Sequence, residues 1–412
     1  MSAPDGPPAG DGGWPMGPGE STRAVHTPRP PVPAQTPMGL PVYRTAAFAF
    51  DSAREYADVI GGRVEGYSYS RIDNPTVDAF AAGMAALEAG PSVGGLVGQA
   101  FASGMAAIST TLMAHVSAGD HVLASASVYG GTWSLLRKVL TRFGVASSMV
   151  DMSDPVVVRE AIRPNTRVVW AETISNPTLR VADLPALAAA AHAAGALLAV
   201  DSTFATPAIC RPAGYGADLV VHSATKYVGG HSDVTGGVVV GAPDVIAPVR
   251  ALRVDLGGSL APDDAFLLHR GLATLPLRVE RHCGSALRLA RALVGHPAVA
   301  GVSYPGLPDH PDHPVALRLF APDRFGGVVT VHPRGGRDQG MALCDRLRLA
   351  VPATSLAGTH TKVSHVASTT HWQLDDDALA AAGIRAGTVR VSVGLEDPED
   401  LIADFAQALD RI

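Results

Sequence analysis

Lys226 is one of three lysines in the 412-residue chain, and it closes the segment His222-Ser223-Ala224-Thr225-Lys226 directly after the apolar run Leu219-Val220-Val221. An amine where a buried strand opens into a loop, beside two hydroxyls, can bond to a carbonyl cofactor whose phosphate the hydroxyls hold. A Ser-x-Thr-Lys sequence also occurs in solvated loops, where the lysine has no such task. Upstream, the run Ala196 to Val200 ends on Asp201. Ligands of open parallel sheets sit beyond the carboxyl ends of the strands, so Asp201 and Lys226 are expected to face one crevice from adjacent strands. A carboxylate there keeps a pyridine nitrogen protonated and makes the ring an electron sink, which is the pairing pyridoxal phosphate (PLP) needs. The structural alternative for Asp201 is a cap on the turn that follows.

Four further places carry candidate chemistry. Ser103-Gly104-Met105 follows the run Leu96 to Ala102 and opens an apolar helix. Its backbone amides are therefore placed to meet a phosphate with the helix dipole behind them, or Ser103 serves only as an N-cap. Tyr129, just past the strand-like His121 to Ser125, offers a ring to stack on a flat pyridinium, or merely flanks a turn. Tyr69 and Arg71 lie in a segment too polar for a core, which by itself reads as a solvated loop. Arg390 interrupts the alternating run Thr388 to Val393, so it either points into a polar cavity or sits on an edge facing water.

The elements that must position these groups alternate between helix and strand. Asn74-Pro75-Thr76 gives an N-cap and a first-turn proline, periodicity runs from Val77 to Leu87, and Gly90 closes that helix. Short apolar runs follow at His121 to Leu123, Val168 to Trp170, Leu197 to Val200, Leu219 to Val221 and Gly237 to Val240, with helical stretches such as Val181 to Ala194 between them. That succession predicts an α/β fold with a largely parallel sheet. A long helix from Pro276 to Val294, strands at Gly326 to Val331 and Thr388 to Val393, and a helix from Pro398 to Leu409 predict a smaller C-terminal domain. The expected divisions are a tail over 1–40, an arm over 41–73, a large domain over 74–275 and a C-terminal domain over 276–412. Residues 1–40 hold ten of the 32 prolines and seven glycines, which predicts a disordered or loosely docked tail, with disorder favoured over about the first 25 residues.

Composition narrows the function. A 47% hydrophobic content over this length supports a sizeable core. A formal charge of −6 without a basic patch argues against a nucleic-acid partner. The apolar stretch Leu184 to Val200 is broken by His192 and Gly195, so no membrane span is expected. Cys210, Cys283 and Cys344 are too scattered for a disulfide framework or a metal site, and they fit a reducing cytoplasm.

From about Pro41 to Ile412 the chain resembles the transsulfuration family of fold-type I PLP enzymes: cystathionine γ-synthase, cystathionine γ-lyase and methionine γ-lyase. The resemblance rests on Tyr69-Ser70-Arg71-Ile72-Asp73-Asn74-Pro75-Thr76, Ala102-Ser103-Gly104-Met105-Ala106, Val128-Tyr129-Gly130-Gly131-Thr132, Glu172-Thr173-Ile174-Ser175-Asn176-Pro177-Thr178, Asp201-Ser202-Thr203, Ser223 to Gly230 and Arg390-Val391-Ser392-Val393-Gly394-Leu395-Glu396-Asp397. It implies an aspartate aminotransferase-like fold. Lys226 would hold the cofactor, Asp201 its ring nitrogen, and Tyr129 would stack on it and assist proton transfer. Gly104, Met105, Ser223 and Thr225 would bind its phosphate. Tyr69 and Arg71 would reach the phosphate of a neighbouring subunit in a homotetramer built as a dimer of dimers. Arg390 would fork onto the substrate α-carboxylate, and Ser355 and Asn176 would contact substrate or cofactor. The implied activity is γ-elimination from methionine or homocysteine, with γ-replacement on an O-acylhomoserine or cystathionine γ-lysis as alternatives.

Departures from the family pattern bear on substrate. Ser68 and Thr354 stand where members handling cystathionine carry acids for its distal ammonium, so an uncharged distal group is expected. Gly131 stands where several members place a cysteine. His360, Lys362, His365 and Trp372 replace a Glu-rich, Pro-containing segment and either shape an unusual substrate site or decorate the surface.

Overall fold

The computed structural model describes residues 19–25, 35–372, 375–381 and 383–412. Seven strands form the larger sheet: β1 (Val97–Phe101), β2 (His121–Ser125), β3 (Ala146–Val150), β4 (Thr166–Glu172), β5 (Leu197–Asp201), β6 (Leu219–His222) and β7 (Gly237–Gly241). Their order is β1-β7-β6-β5-β4-β2-β3, parallel except for β7, which runs antiparallel to both neighbours. Helices cover both faces, so the strands read as unbroken apolar runs. Val169, Ala171, Val200 and Val220 pack on one side, Val168, Trp170, Ala199 and Val221 on the other. The expected α/β fold with a mostly parallel sheet is therefore present.

The register places the ends of three neighbouring strands side by side. Glu172 pairs with Asp201, and Asp201 with Val221. Residues paired across parallel strands project from the same face, so Glu172 and Asp201 emerge together at the carboxyl edge.

A second, mainly antiparallel sheet has the order β10-β11-β12-β9-β8, from β8 (Val299–Ser303), β9 (Val328–Pro333), β10 (Val351–Pro352), β11 (Lys362–His365) and β12 (Val389–Ser392). The helices Leu275–Leu293 and Pro398–Leu409 pack against one another beside it.

Strands β3, β8, β10 and β11 had no counterpart in the apolar pattern. β3 is an edge strand of half-buried small and polar residues, and β10 is two exposed residues long. The helix expected from Val181 begins at Leu184, because Val181 is held in an antiparallel bridge with Ile174. Most of the Pro-rich tail lies outside the described residues. Within it, Glu20–Val25 is a short helix with no buried residue, where irregular chain was expected. Its opening glutamate complements the helix N-terminus. No helix among the described residues is long and apolar enough to cross a membrane.

The helix Pro75–Ala89 starts as its sequence dictates. The Asn74 side chain accepts from the Thr76 amide at 3.0 Å, Pro75 occupies the first turn, and Gly90 ends the helix at φ +54°. The Asn74 side-chain Nδ2 donates to Tyr43 O and Ser70 Oγ, each at 3.0 Å, tying the preceding arm to the helix. Asn74→Ala should therefore cost about 1–3 kcal/mol and free the arm. A lower melting temperature and faster proteolytic cleavage between residues 41 and 73 are expected. Unchanged values for both would contradict this role.

Candidate active site

The carboxyl ends of β4, β5 and β6 open onto a cavity of about 910 Å3 that reaches the second sheet. Lys226, Asp201, Tyr129 and Asn176 line it, with Ser103, Gly104, Met105, Ser223 and Thr225 at one end and Ser355 and Arg390 on the second-sheet side.

Lys226 Nζ donates to Ser355 Oγ at 2.6 Å. Burial lowers its pKa to about 8, helped by the nearby cations Arg390 and Lys362. A neutral amine is thus accessible near physiological pH. Ser355 sits at φ +73° and Ala357 at +63°, left-handed conformations that side chains rarely adopt. They are held there by Lys226, by Arg390, which donates to Ser355 O at 2.9 Å, and by Ser392 Oγ, which accepts from the Ala357 amide at 2.8 Å.

Arg390 is 4% exposed, donates to Asn176 Oδ1 at 3.1 Å, and leaves Nε without a partner. Burial lowers its pKa to about 10. Among the described residues no carboxylate pairs with it. A buried guanidinium without an anion is unfavourable by itself, and an anionic ligand would relieve it. It is no edge arginine facing water.

At the other end, Ser103 accepts from the Ala106 amide at 3.1 Å and caps the helix Gly104–His115. The capping alternative thus holds for its hydroxyl, while Gly104 and Met105, in the first turn where amides lack intrahelical partners, line the cavity. Gly104 is required for close approach: a Cβ there would lie 2.7 Å from Ser223 Oγ. Thr225 exchanges hydrogen bonds with the Gly236 backbone at 3.0 and 3.2 Å, which fixes the loop between β6 and β7. The buried Arg278 secures the same loop by donating to the carbonyls of Tyr227 at 2.6 Å and Val228 at 3.2 Å. No motif signalled Arg278.

Asp201 accepts from the Thr203 amide at 3.0 Å, so it caps its turn and lines the cavity at once. Beside it stands Glu172, which the sequence motifs left without a role. Its Oε1 accepts from the Tyr129 amide at 2.6 Å and its Oε2 from the Asn176 amide at 3.3 Å. Burial, then the neighbouring Asp201, raises Glu172 to about 8, and burial raises Asp201 as well. The available signal was an acid closing the apolar run Val168 to Ala171.

Tyr129 is 46% exposed, and its ring lies over Gly131, where a Cβ would come within 2.5 Å of the ring and 2.8 Å of Met105 Sδ. A cysteine at 131 therefore requires the ring to move. Of the four unusual downstream residues only His365 lines the cavity, and its ring is tied to Ser368 Oγ at 2.7 Å and Ala386 O at 2.9 Å. Lys362 donates to Ser232 Oγ at 2.8 Å, His360 is exposed, and Trp372 is largely exposed. Thr354 lines the cavity and Ser68 does not. The expectation of a distal pocket free of acid needs one correction: the exposed Asp345 lines the cavity too. Tyr69 and Arg71 stay outside it. Both are exposed, with the Arg71 guanidinium 5.6 Å from the Tyr69 ring centre and donating to Val254 O at 2.6 Å. Among the described residues no cluster of side chains is arranged to hold a metal ion.

The profile of the Cys/Met metabolism PLP-dependent enzymes matches residues 21–410. The chain belongs to this family. It is 41% identical over 378 residues to the L-methionine gamma-lyase of Fusobacterium nucleatum subsp. polymorphum, covering 91% of this chain and 94% of that one. It is also 41% identical over 392 residues to the cystathionine gamma-synthase of Mycobacterium tuberculosis, covering 95% and 97%. Among solved structures, a Campylobacter jejuni protein described as an O-acetylhomoserine (thiol)-lyase superposes with a TM-score of 0.86 at 32% identity, covering 92% of this chain and 96% of that one. That structure contains N′-pyridoxyl-lysine-5′-monophosphate. The family depends on PLP, and the cavity suits it: a lysine depressed by burial, a buried carboxylate, and helix amides free for a phosphate.

Covalent attachment of PLP needs the neutral lysine. Its rate on the cofactor-free protein should therefore rise with pH through about 8 and level off there. Lys362→Met removes one of the cations that depress Lys226, so the inflection should move upward and attachment at pH 7 should slow. A rate that keeps climbing to the ordinary lysine value of 10.5 and ignores the substitution would contradict this electrostatic picture.

Proposed function

We propose that this chain is a γ-lyase of methionine or homocysteine, converting the amino acid and water to an α-keto acid, ammonia and a thiol. The observation that carries the proposal is Arg390, a buried guanidinium with an unpartnered Nε that shares one cavity with Lys226. Its fork suits an α-carboxylate, which would set Cα within reach of the lysine. PLP supplies, when bound, the electron sink that acidifies Cα–H and Cβ–H. Lys226, whose burial favours the neutral amine, takes and returns those protons. Asp201 holds the ring nitrogen protonated. Tyr129 covers the ring face and gives a proton to the departing sulfur. Asn176 keeps Arg390 oriented through their 3.1 Å hydrogen bond.

The distal region favours an uncharged thioether or thiol. Thr354 offers no charge, and an exposed carboxylate such as Asp345 contributes about 0–1 kcal/mol to an ion pair in water. The ratio of kcat/KM for methionine or homocysteine over cystathionine should exceed about tenfold, a difference of about 1.4 kcal/mol in transition-state binding. Thr354→Glu should shift it toward cystathionine. Efficient cystathionine turnover by the unaltered protein would overturn this assignment of the pocket.

A second activity, γ-replacement on an O-acylhomoserine, is favoured by the equal 41% identity to the Mycobacterium tuberculosis cystathionine gamma-synthase. Incubation with methionine, homocysteine, cystathionine, or O-acetylhomoserine plus sulfide separates the two. Keto acid and thiol from methionine or homocysteine are expected. Homocysteine and acetate from O-acetylhomoserine plus sulfide, with no keto acid from methionine or homocysteine, would make the chain a transferase.

The site is taken to be shared between subunits of a cytoplasmic homotetramer. The phosphate end has helix amides and hydroxyls and, among the described residues, no arginine of its own chain, while Arg71 and Tyr69 are exposed outside it. Arg71→Ala should weaken PLP retention. Mixing it with Lys226→Ala should restore part of the activity, since one site of each mixed dimer then carries neither defect. No recovery despite demonstrated subunit exchange would return Arg71 to its own chain's site.

A further inference from the structure

Glu172 ends β4 beside Asp201 on β5, 7% exposed, and forms no ion pair among the described residues. Its two oxygens are committed to two different segments: Oε1 to the amide of Tyr129 at 2.6 Å, and Oε2 to the amide of Asn176 at 3.3 Å. Tyr129 opens the short helix Gly130–Ser134, whose side-chain cap is missing, so the carboxylate is the polar anchor of that turn. Asn176 in turn holds Arg390. One buried carboxylate thus reaches the groups assigned to the cofactor face and to the substrate carboxylate.

We propose that Glu172 is a positioning residue that couples the positive charge of the cofactor ring at Asp201 to the placement of Tyr129 and Asn176. This rests on the assignment of the ring nitrogen to Asp201. Both amide hydrogen bonds need an ionised carboxylate, because a protonated oxygen is a poor acceptor. Without the cofactor, burial and then the repulsion from Asp201 raise Glu172, which favours one shared proton on the pair of carboxylates, and of its two hydrogen bonds the one from the Asn176 amide is the longer, at 3.3 Å against 2.6 Å. A cation seated against Asp201 offsets that repulsion. Glu172 then ionises, and both amide hydrogen bonds become charge-assisted. The groups facing the pair are Tyr129 and Asn176 from the two turns and His222 from β6, whose charged form favours ionised Asp201.

The test is amide hydrogen exchange on the full-length protein with and without PLP, for the natural chain and for Glu172→Gln, with PLP binding followed by its visible absorbance. Glutamine offers a single acceptor oxygen and replaces the other with a donor. In the natural chain PLP should slow exchange at the Tyr129 and Asn176 amides by about tenfold or more, the scale of one charge-assisted hydrogen bond. In the variant at least one of the two should lose that protection while PLP still binds. The variant's kcat should fall by about tenfold or more, as expected for misplaced catalytic groups, without loss of melting temperature in the cofactor-free form, because the carboxylate pair already retains a proton there and glutamine leaves the same single charge. Protection in the natural chain that does not respond to bound PLP would overturn the coupling even if the variant failed to fold. So would an intact response in the variant. PLP that fails to bind the natural chain would remove both this coupling and the function it rests on.

Discussion

Four ionisable side chains line one cavity, Lys226 and Arg390 both bonded to Ser355, and Glu172 beside Asp201 at the strand ends. Burial and then Arg390 depress Lys226, while burial and then Asp201 raise Glu172. None of the four is neutralised by an ion pair among the described residues. Hydroxyls, amides and carbonyls hold them instead: Ser355 for Lys226, Asn176 and the Ser355 carbonyl for Arg390, Thr203 for Asp201, and two backbone amides for Glu172. Such an arrangement opposes folding of the empty chain, since uncompensated buried charge costs several kcal/mol. It is relieved by a ligand that is cationic on the carboxylate side and anionic on the arginine side. A protonated pyridine and an amino-acid carboxylate have those signs in that order.

The scaffold explains why such charges are tolerated. Parallel strands β4, β5 and β6 bury Val, Leu and Ala on both faces and end in register, so the only place for Glu172 and Asp201 is the open carboxyl edge. The second sheet brings Arg390 from the opposite side on an antiparallel strand whose alternation buries Val389 and Val391 behind it. The left-handed Ser355 bridges the two, bonded to Lys226 by its side chain and to Arg390 by its carbonyl. Strain at that residue is held by groups on both sides of the cavity, which is the setting in which strained residues persist.

Much of this was legible in the chain. Lys226 after an apolar run, Asp201 closing another, and Arg390 breaking an alternating one all violate the local pattern of a buried strand, and all three line the cavity. Helices announced themselves where caps and prolines agreed with periodicity, as at Asn74-Pro75 and at Pro398–Leu409. Legibility failed where a residue's meaning depends on its neighbours in space. Glu172 closes a run just as Asp201 does, but its two amide partners come from separate turns. Arg278 sits in the first turn of the helix Leu275–Leu293 and binds carbonyls of a loop far away in sequence. Strand β11 was hidden by its polar side chains, which face the cavity and the neighbouring loop. Trp372 and His360, conspicuous by type, point to solvent instead.

Burial and neighbouring charge single out one amine among the three lysines. This selection is tested most directly by adding PLP to the purified protein, reducing with borohydride, digesting, and locating the pyridoxyl group by mass spectrometry. The account predicts stoichiometric labelling of Lys226 and none of Lys138, whose ammonium lies 5.6 Å from the ring centre of Trp133. Labelling confined to Lys138 or Lys362, or spread evenly over all three, would contradict it.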